Sequence, residues 1–220
     1  MPDSQLQQLI TAIDQAASPA ELIGAVRTLA AAKLEAGIPT LIKALGYNNP
    51  GAAVVAVGGL VQLGDRAVEP LLEQLDGYNY GARAYAIRAL AAIAAPCALA
   101  VLLDAAATDF APSVRRAATK GLGHLRWHLL ATEAQLSAQA QALDVLLQVS
   151  EDPDWAIRYA AVVGLQALGK TAIEPATRRA IRDRLNTLAQ MDPDLATQAR
   201  ATLARDRLSQ NSNPQLTVCC

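Results

Sequence analysis

Six segments of the chain fall into one register. They are "SPAELIGAVRTLAAA" from Ser18, "NPGAAVVAVGGLVQL" from Asn49, "NYGARAYAIRALAAI" from Asn79, "APSVRRAATKGLGHL" from Ala111, "DWAIRYAAVVGLQAL" from Asp154 and "DPDLATQARATLARD" from Asp192. The eighth residue of each is Ala (Ala25, Ala56, Ala86, Ala118, Ala161, Ala199) and the twelfth is Leu (Leu29, Leu60, Leu90, Leu122, Leu165, Leu203). Residues four apart share one face of a helix, so each segment presents the same small-then-large apolar pair to a neighbour. The starts lie between 30 residues (49 to 79) and 43 residues (111 to 154) apart. That period belongs to stacked supersecondary units, each too small to bury its own apolar face.

The starts carry helix signals. Ser18, Asn49, Asn79, Asp154 and Asp192 are residues whose side-chain oxygen accepts from the free N–H groups of a first turn; Ala111 is the exception. Pro follows in four of the six, where its missing N–H leaves no bond unmade. A second helix is expected after most of these, in "GIPTLIKAL", "AVEPLLEQL", "CALAVLLDA", "ALDVLLQVS" and "AIEPATRRAI", with Gly37, Gly64 and Gly169 at connecting turns. The expected fold is all-α: a solenoid of about five to six helical hairpins and no strand. It forms one domain over residues 1–208, followed by a polar, disordered tail over 209–220. The fourth unit carries an insertion at about 126–141, "RWHLLATEAQLSAQAQ", expected to form a loop on one face.

Composition narrows the function. The chain is 52% hydrophobic but only 4% aromatic, which suits closely packed Ala/Leu helices. A net charge of −1 lacks the basic footprint of a nucleic-acid binder. No signal pattern opens the chain, and no apolar run of membrane length is expected. The three cysteines, Cys97, Cys219 and Cys220, form an odd set that fits a reducing cytoplasm. The terminal Cys pair lacks further ligands at metal-site spacing, and no phosphate loop, nucleophile elbow or CxxC is present. His124 and His128 stand four apart on one expected helix face, but Leu125, not Glu, follows the first; no metal site is expected.

The aromatics gather instead. Three of five tyrosines, Tyr78, Tyr80 and Tyr85, fall within "LDGYNYGARAYAIRAL" beside Arg83 and Arg88. Tyr80 and Trp155 occupy the first helical position, where the other four units have Pro. Arg83, Arg115 and Arg158 share one register slot, with Asp76, Asp109 and Asp152 six or seven residues upstream. Two readings stay open. One is an Asp–Arg ladder tying each repeat to the next, with Tyr80 and Trp155 packed on the preceding turns. The other is a binding edge, where aromatic faces and guanidinium groups receive a planar, conjugated, anionic ligand.

The "LGDRAVEPLLEQL" unit, the "LDGYNYGARAYAIRALAAI" stretch and the "DPDWAIRYAAVVGLQAL" unit together resemble the HEAT-like repeat E/F-type phycobilin lyases of cyanobacterial phycobilisomes, on the F-subunit side, over roughly residues 20–185. The resemblance implies a heterodimer with an E subunit. It binds phycocyanobilin as substrate, with no cofactor, and attaches it by a thioether to a cysteine of the apo-phycocyanin α subunit. It further implies Asp76, Tyr78 and Tyr80 as catalytic residues and Arg83, Arg88, Trp155, Arg158 and Tyr159 as bilin contacts. Relatives that isomerise the bilin carry an Asn-His-Cys type motif where this chain reads Tyr-Asn-Tyr-Gly-Ala-Arg (Tyr78–Arg83), which implies lyase chemistry alone. A non-catalytic HEAT adaptor that only binds proteins, or a chromophore-detaching protein, remains an alternative on the same fold.

Overall fold

The computed structural model of the 220-residue chain describes residues 2–75 and 80–211, with side chains from 4 to 75 and from 81 to 210. Among these residues the secondary structure is twelve α-helices joined by short turns, with no strand. The chain divides into two compact units, Met1–Ala98 and Leu99–Cys220, where the sequence reading has one continuous array.

The first unit holds α1 (Pro2–Asp14), α2 (Pro19–Ala32), α3 (Ile38–Leu45), α4 (Pro50–Leu63), α5 (Val68–Glu73) and α6 (Tyr80–Ile93). Helix α2 packs on α4, and α4 on α6. The caps work as expected: Ser18 accepts from Glu21 N at 3.2 Å while Glu21 accepts from Ala17 N at 2.9 Å, a reciprocal capping box. Asn49 accepts from Ala52 N at 3.1 Å, and its amide donates to the Pro19 carbonyl at 3.1 Å, so one cap is tied to the previous one. Gly64 ends α4 at φ +64°, a conformation that favours glycine. By length and composition alone the stretch Pro50–Glu73 could cross a membrane, at a mean hydropathy of 1.3. It is broken at Gly64 and followed there by Asp65 and Arg66, and its Ala52, Ala53, Ala56 and Leu60 are buried.

The second unit holds α7 (Leu99–Thr108), α8 (Pro112–His124), α9 (Thr132–Val149), α10 (Trp155–Thr171), α11 (Pro175–Met191) and α12 (Leu195–Asn211). Helix α10 packs between α8 and α12, and α11 on α12. The α8–α10 contact is a backbone approach: a Cβ on Gly123 runs into the Gly164 carbonyl, and one on Gly164 reaches the Thr119 carbonyl at 2.6 Å. Buried Gln139 clips α9 to the next turn, donating to Thr171 O at 3.0 Å and accepting from Ile173 N at 3.1 Å.

The register buries its Leu in five segments, where Leu29, Leu60, Leu90, Leu122 and Leu165 are at most 1% exposed, and its Ala in four of them, Ala25 being only partly covered. The sixth slips by two. Asp194, not Asp192, caps α12, accepting from Thr197 N at 2.8 Å. Ala201 is sealed, while Ala199 and Leu203 face solvent. "DPDL" therefore aligns with "DPDW", Pro193 with Pro153, and Pro opens only three of the six first helices, at Pro19, Pro50 and Pro112.

The fourth-unit insertion is not a loop. After a 3₁₀ turn (Trp127–Leu129) its helix formers lengthen α9 to 18 residues, and Trp127 plugs the core at 2% exposure. Helix α8 ends at His124 and His128 lies in that turn, so the two histidines share no helix face. Gly169 lies inside α10, and α12 runs to Asn211, past the expected start of the tail. Cys219 and Cys220 lie outside the described residues.

Candidate functional site

In the second unit, stacking brings three turns onto one edge: Asp109–Ala111 before α8, Asp152–Asp154 before α10 and Asp192–Asp194 before α12. In each, the first Asp accepts the backbone N–H two residues on, at 2.8, 2.9 and 2.9 Å. Arginines bind these turns together. Arg115 pairs with Asp152 at 2.5 Å and Arg158 with Asp192 at 2.8 Å. In this unit the Asp–Arg ladder exists, and it joins Arg115 and Arg158 each to the aspartate of the next repeat.

Arg158 takes a structural part in this ladder. Its Nε and Nη2 hold Asp192 in a two-pronged pair at 2.8 and 2.9 Å. Its Nη1 donates to the carbonyls of Asp152 and Pro153, at 2.9 and 3.1 Å. The pair is nearly sealed, with side chains 10% and 1% exposed. Hydrogen bonding to Asp192 raises the Arg158 pKa above its ordinary value against the cost of burial, and the same bonds hold the Asp192 carboxyl below its own. Arg158 thus fixes the edge and uses four of its five guanidinium N–H groups on it.

The edge is apolar where it meets solvent. Phe110, the chain's single phenylalanine, is 76% exposed, Trp155 51%, Met191 75% and Leu195 78%. Trp155 opens α10, and half-buried Tyr159 follows one turn later on the same face. Helix α12 brings Arg200 beside Tyr159. Arg200 Nη2 donates to Gln166 Oε1 at 2.7 Å, and its Nη1 is buried with no hydrogen-bond partner among the described residues. Burial lowers the Arg200 pKa from its usual value; Arg207 acts in the same direction and the Tyr159 hydroxyl opposes.

Sequence reasoning did not single out Arg200. The slipped register of α12 concealed that it lies against α10; aligning "DPDW" with "DPDL" is the signal that finds it.

In the first unit, Arg88 lies over the Tyr85 ring, 5.5 Å from its centroid, a cation–π pair on an exposed helix face. Arg83 is partly buried and makes interactions of its own. Asp76, Tyr78 and the Tyr80 side chain lie outside the described residues. Among the described residues no three metal-ligating side chains come together. The chemistry these residues offer is stacking, hydrogen bonding and charge.

Family models for HEAT repeats match residues 68–137 and 142–172. The chain is 54% identical over 200 residues to a phycocyanobilin lyase subunit beta of Nostoc sp. PCC 7120, covering 91% of this chain and 98% of that protein. It is 53% identical to the protein of the same name from Thermosynechococcus vestitus BP-1, over 95% and 100% of the two chains. The chain belongs to the phycocyanobilin lyase beta-subunit family. A solved complex of CpcE and CpcF of phycocyanin lyase from Nostoc contains a chain matching this one at a TM-score of 0.73 and 57% identity, over 77% of this chain and 98% of that one. A designed armadillo repeat protein, at 20% identity and a TM-score of 0.54, shares the solenoid fold alone.

Proposed function

We propose that this chain is the F-type subunit of a heterodimeric phycobilin lyase. With an E-type partner it binds phycocyanobilin and attaches it by a thioether to a cysteine of the phycocyanin α subunit. The carrying observation is the identity of more than half the residues, over nearly the whole chain, to proteins named phycocyanobilin lyase subunit beta. The solved CpcE–CpcF complex supports the need for a partner.

The acceptor cysteine supplies the nucleophile. Its sulfur bonds to the carbon of the bilin ethylidene group and a proton is added, so no further co-reactant or cofactor is required. The lyase contributes orientation and a proton donor. Arg83, Arg88, Trp155 and Tyr159 are each assigned as bilin contacts, for a conjugated ring or a propionate. Asp76, Tyr78 and Tyr80 are assigned to the proton chemistry. The reaction is placed in the cytoplasm.

Co-expression with the E-type partner, phycocyanobilin and the apo-α subunit tests this. The expected product is an α subunit whose chromophore survives denaturation and is lost when the acceptor cysteine becomes serine. Absence of a covalent adduct with verified partners refutes the assignment.

A further inference from the structure

Six arginines of the second unit are at least half sheltered: Arg115, Arg126, Arg158, Arg184, Arg200 and Arg205. Arg115, Arg158, Arg184 and Arg205 have a carboxylate, in Asp152, Asp192, Glu151 and Asp206 respectively, and Arg126 makes interactions of its own. Arg200 has none among the described residues. Its Nη2 donates to a neutral amide, the Tyr159 hydroxyl lies within reach, and Nη1 has no hydrogen-bond partner among the described residues. A guanidinium that leaves water without an anion is costly, and proteins ordinarily answer with a carboxylate. Here the surroundings are Gln166, the Tyr159 hydroxyl and a second cation, Arg207. A carboxylate brought by a ligand would complete the site.

We propose that Arg200, assisted by the Tyr159 hydroxyl, is the anchor for a propionate carboxylate of the bilin, with Trp155 one helical turn away taking a ring of the same molecule. This rests on the bilin-lyase reading above and assigns the residue that recognises the substrate's acid groups. The geometry favours a planar, conjugated acid. Trp155 and Tyr159 are four apart on α10, one turn of about 5.4 Å. The indole is half exposed, so a ring can lie on it without displacing core residues. The guanidinium fork matches a carboxylate with two parallel bonds, and its Gln166 contact keeps one nitrogen in place while the other turns toward the ligand. Beneath, the Arg158–Asp192 pair ties the α10 turn to the α12 turn and so sets the spacing between platform and anchor.

The chain, purified with its E-type partner, is titrated with phycocyanobilin and with its dimethyl ester, followed by bilin absorbance. Wild type is expected to bind the free acid about ten- to a hundred-fold more tightly than the ester, the range for one charge-assisted pair. Arg200→Gln brings the two within about three-fold, at unchanged ester affinity and unchanged melting temperature, and Arg200→Lys keeps part of the preference. An acid-to-ester ratio unaltered by Arg200→Gln overturns the anchor while leaving the lyase assignment standing. If Arg200→Gln instead weakens association with the E-type partner at an unaltered ratio, the carboxylate belongs to that partner, and the bilin assignment of Arg200 is wrong. Loss of melting temperature in both variants makes Arg200 a packing residue and also overturns it. Failure of the wild-type complex to bind either bilin refutes the lyase reading itself.

Discussion

Removing Asp192 should unsettle the second unit more than any comparable surface change. In the Asp192→Ala variant, Arg158 stays at the foot of the α10–α12 edge with no anion. Two charge-assisted contacts, at 2.8 and 2.9 Å, vanish from a pair whose side chains are 10% and 1% exposed. Breaking such a pair from one side costs about 3–5 kcal/mol. Nη1 keeps the carbonyls of Asp152 and Pro153, which places the charge effect near the lower end of that range. The Asp194 N–H also loses its acceptor, about 1 kcal/mol more. The sum is about 4 kcal/mol, or roughly 8–16 °C in melting temperature for a chain of this size. Urea denaturation followed by circular dichroism gives the total, and amide exchange localises it to α10–α12. The double variant Arg158→Met/Asp192→Leu removes both charges and should recover most of the loss. A loss below about 1 kcal/mol in Asp192→Ala, or a double variant worse than the sum of the singles, refutes the account.

The same pair sets a pH dependence. The folded Asp192 pKa is depressed, so its contribution is complete above the unfolded carboxylate value, about 3.9, and is lost as pH falls through the lower folded value. Wild-type stability should therefore fall below about pH 4 more steeply than that of the double variant. Gly123→Ala drives a methyl into the Gly164 carbonyl, which cannot move without parting α8 from α10; about 1–3 kcal/mol or more should be lost in urea unfolding. Gly58→Ala, exposed inside α4 with nothing within 4 Å of the new Cβ, should gain about 0.5–1 kcal/mol in the same assay. Trp155→Ala should lower bilin transfer several-fold at unchanged melting temperature, because the indole is half exposed; a wild-type transfer rate removes it from the site.

Much of the fold was written in local chemistry. Ser18, Asn49 and Asp154 were legible as caps because the oxygen that marks a cap acts within three residues of itself. The Ala/Leu pairs were legible because a helix face has a fixed period. The fourth-unit insertion was misjudged because excess length relative to a repeat is silent on conformation; its Ala, Gln and Leu composition favoured helix. The sixth register slipped because Pro193 imitates an N1 proline, and only the cap at Asp194 separates the two alignments.

The sequence by itself determined the repeat, its all-helical hairpins, the sites of most caps and the family resemblance, since each rests on periodicity or on residue identities a few positions apart. Tertiary structure decided what each functional group is free to do. In the sequence Arg158 and Arg200 are both arginines within an Ala-rich helical segment. One faces a carboxylate 34 residues on and is sealed; the other meets a neutral amide 34 residues back and is left without an anion. That difference depends on which helices stack and in what register, and so on contacts that no local pattern records.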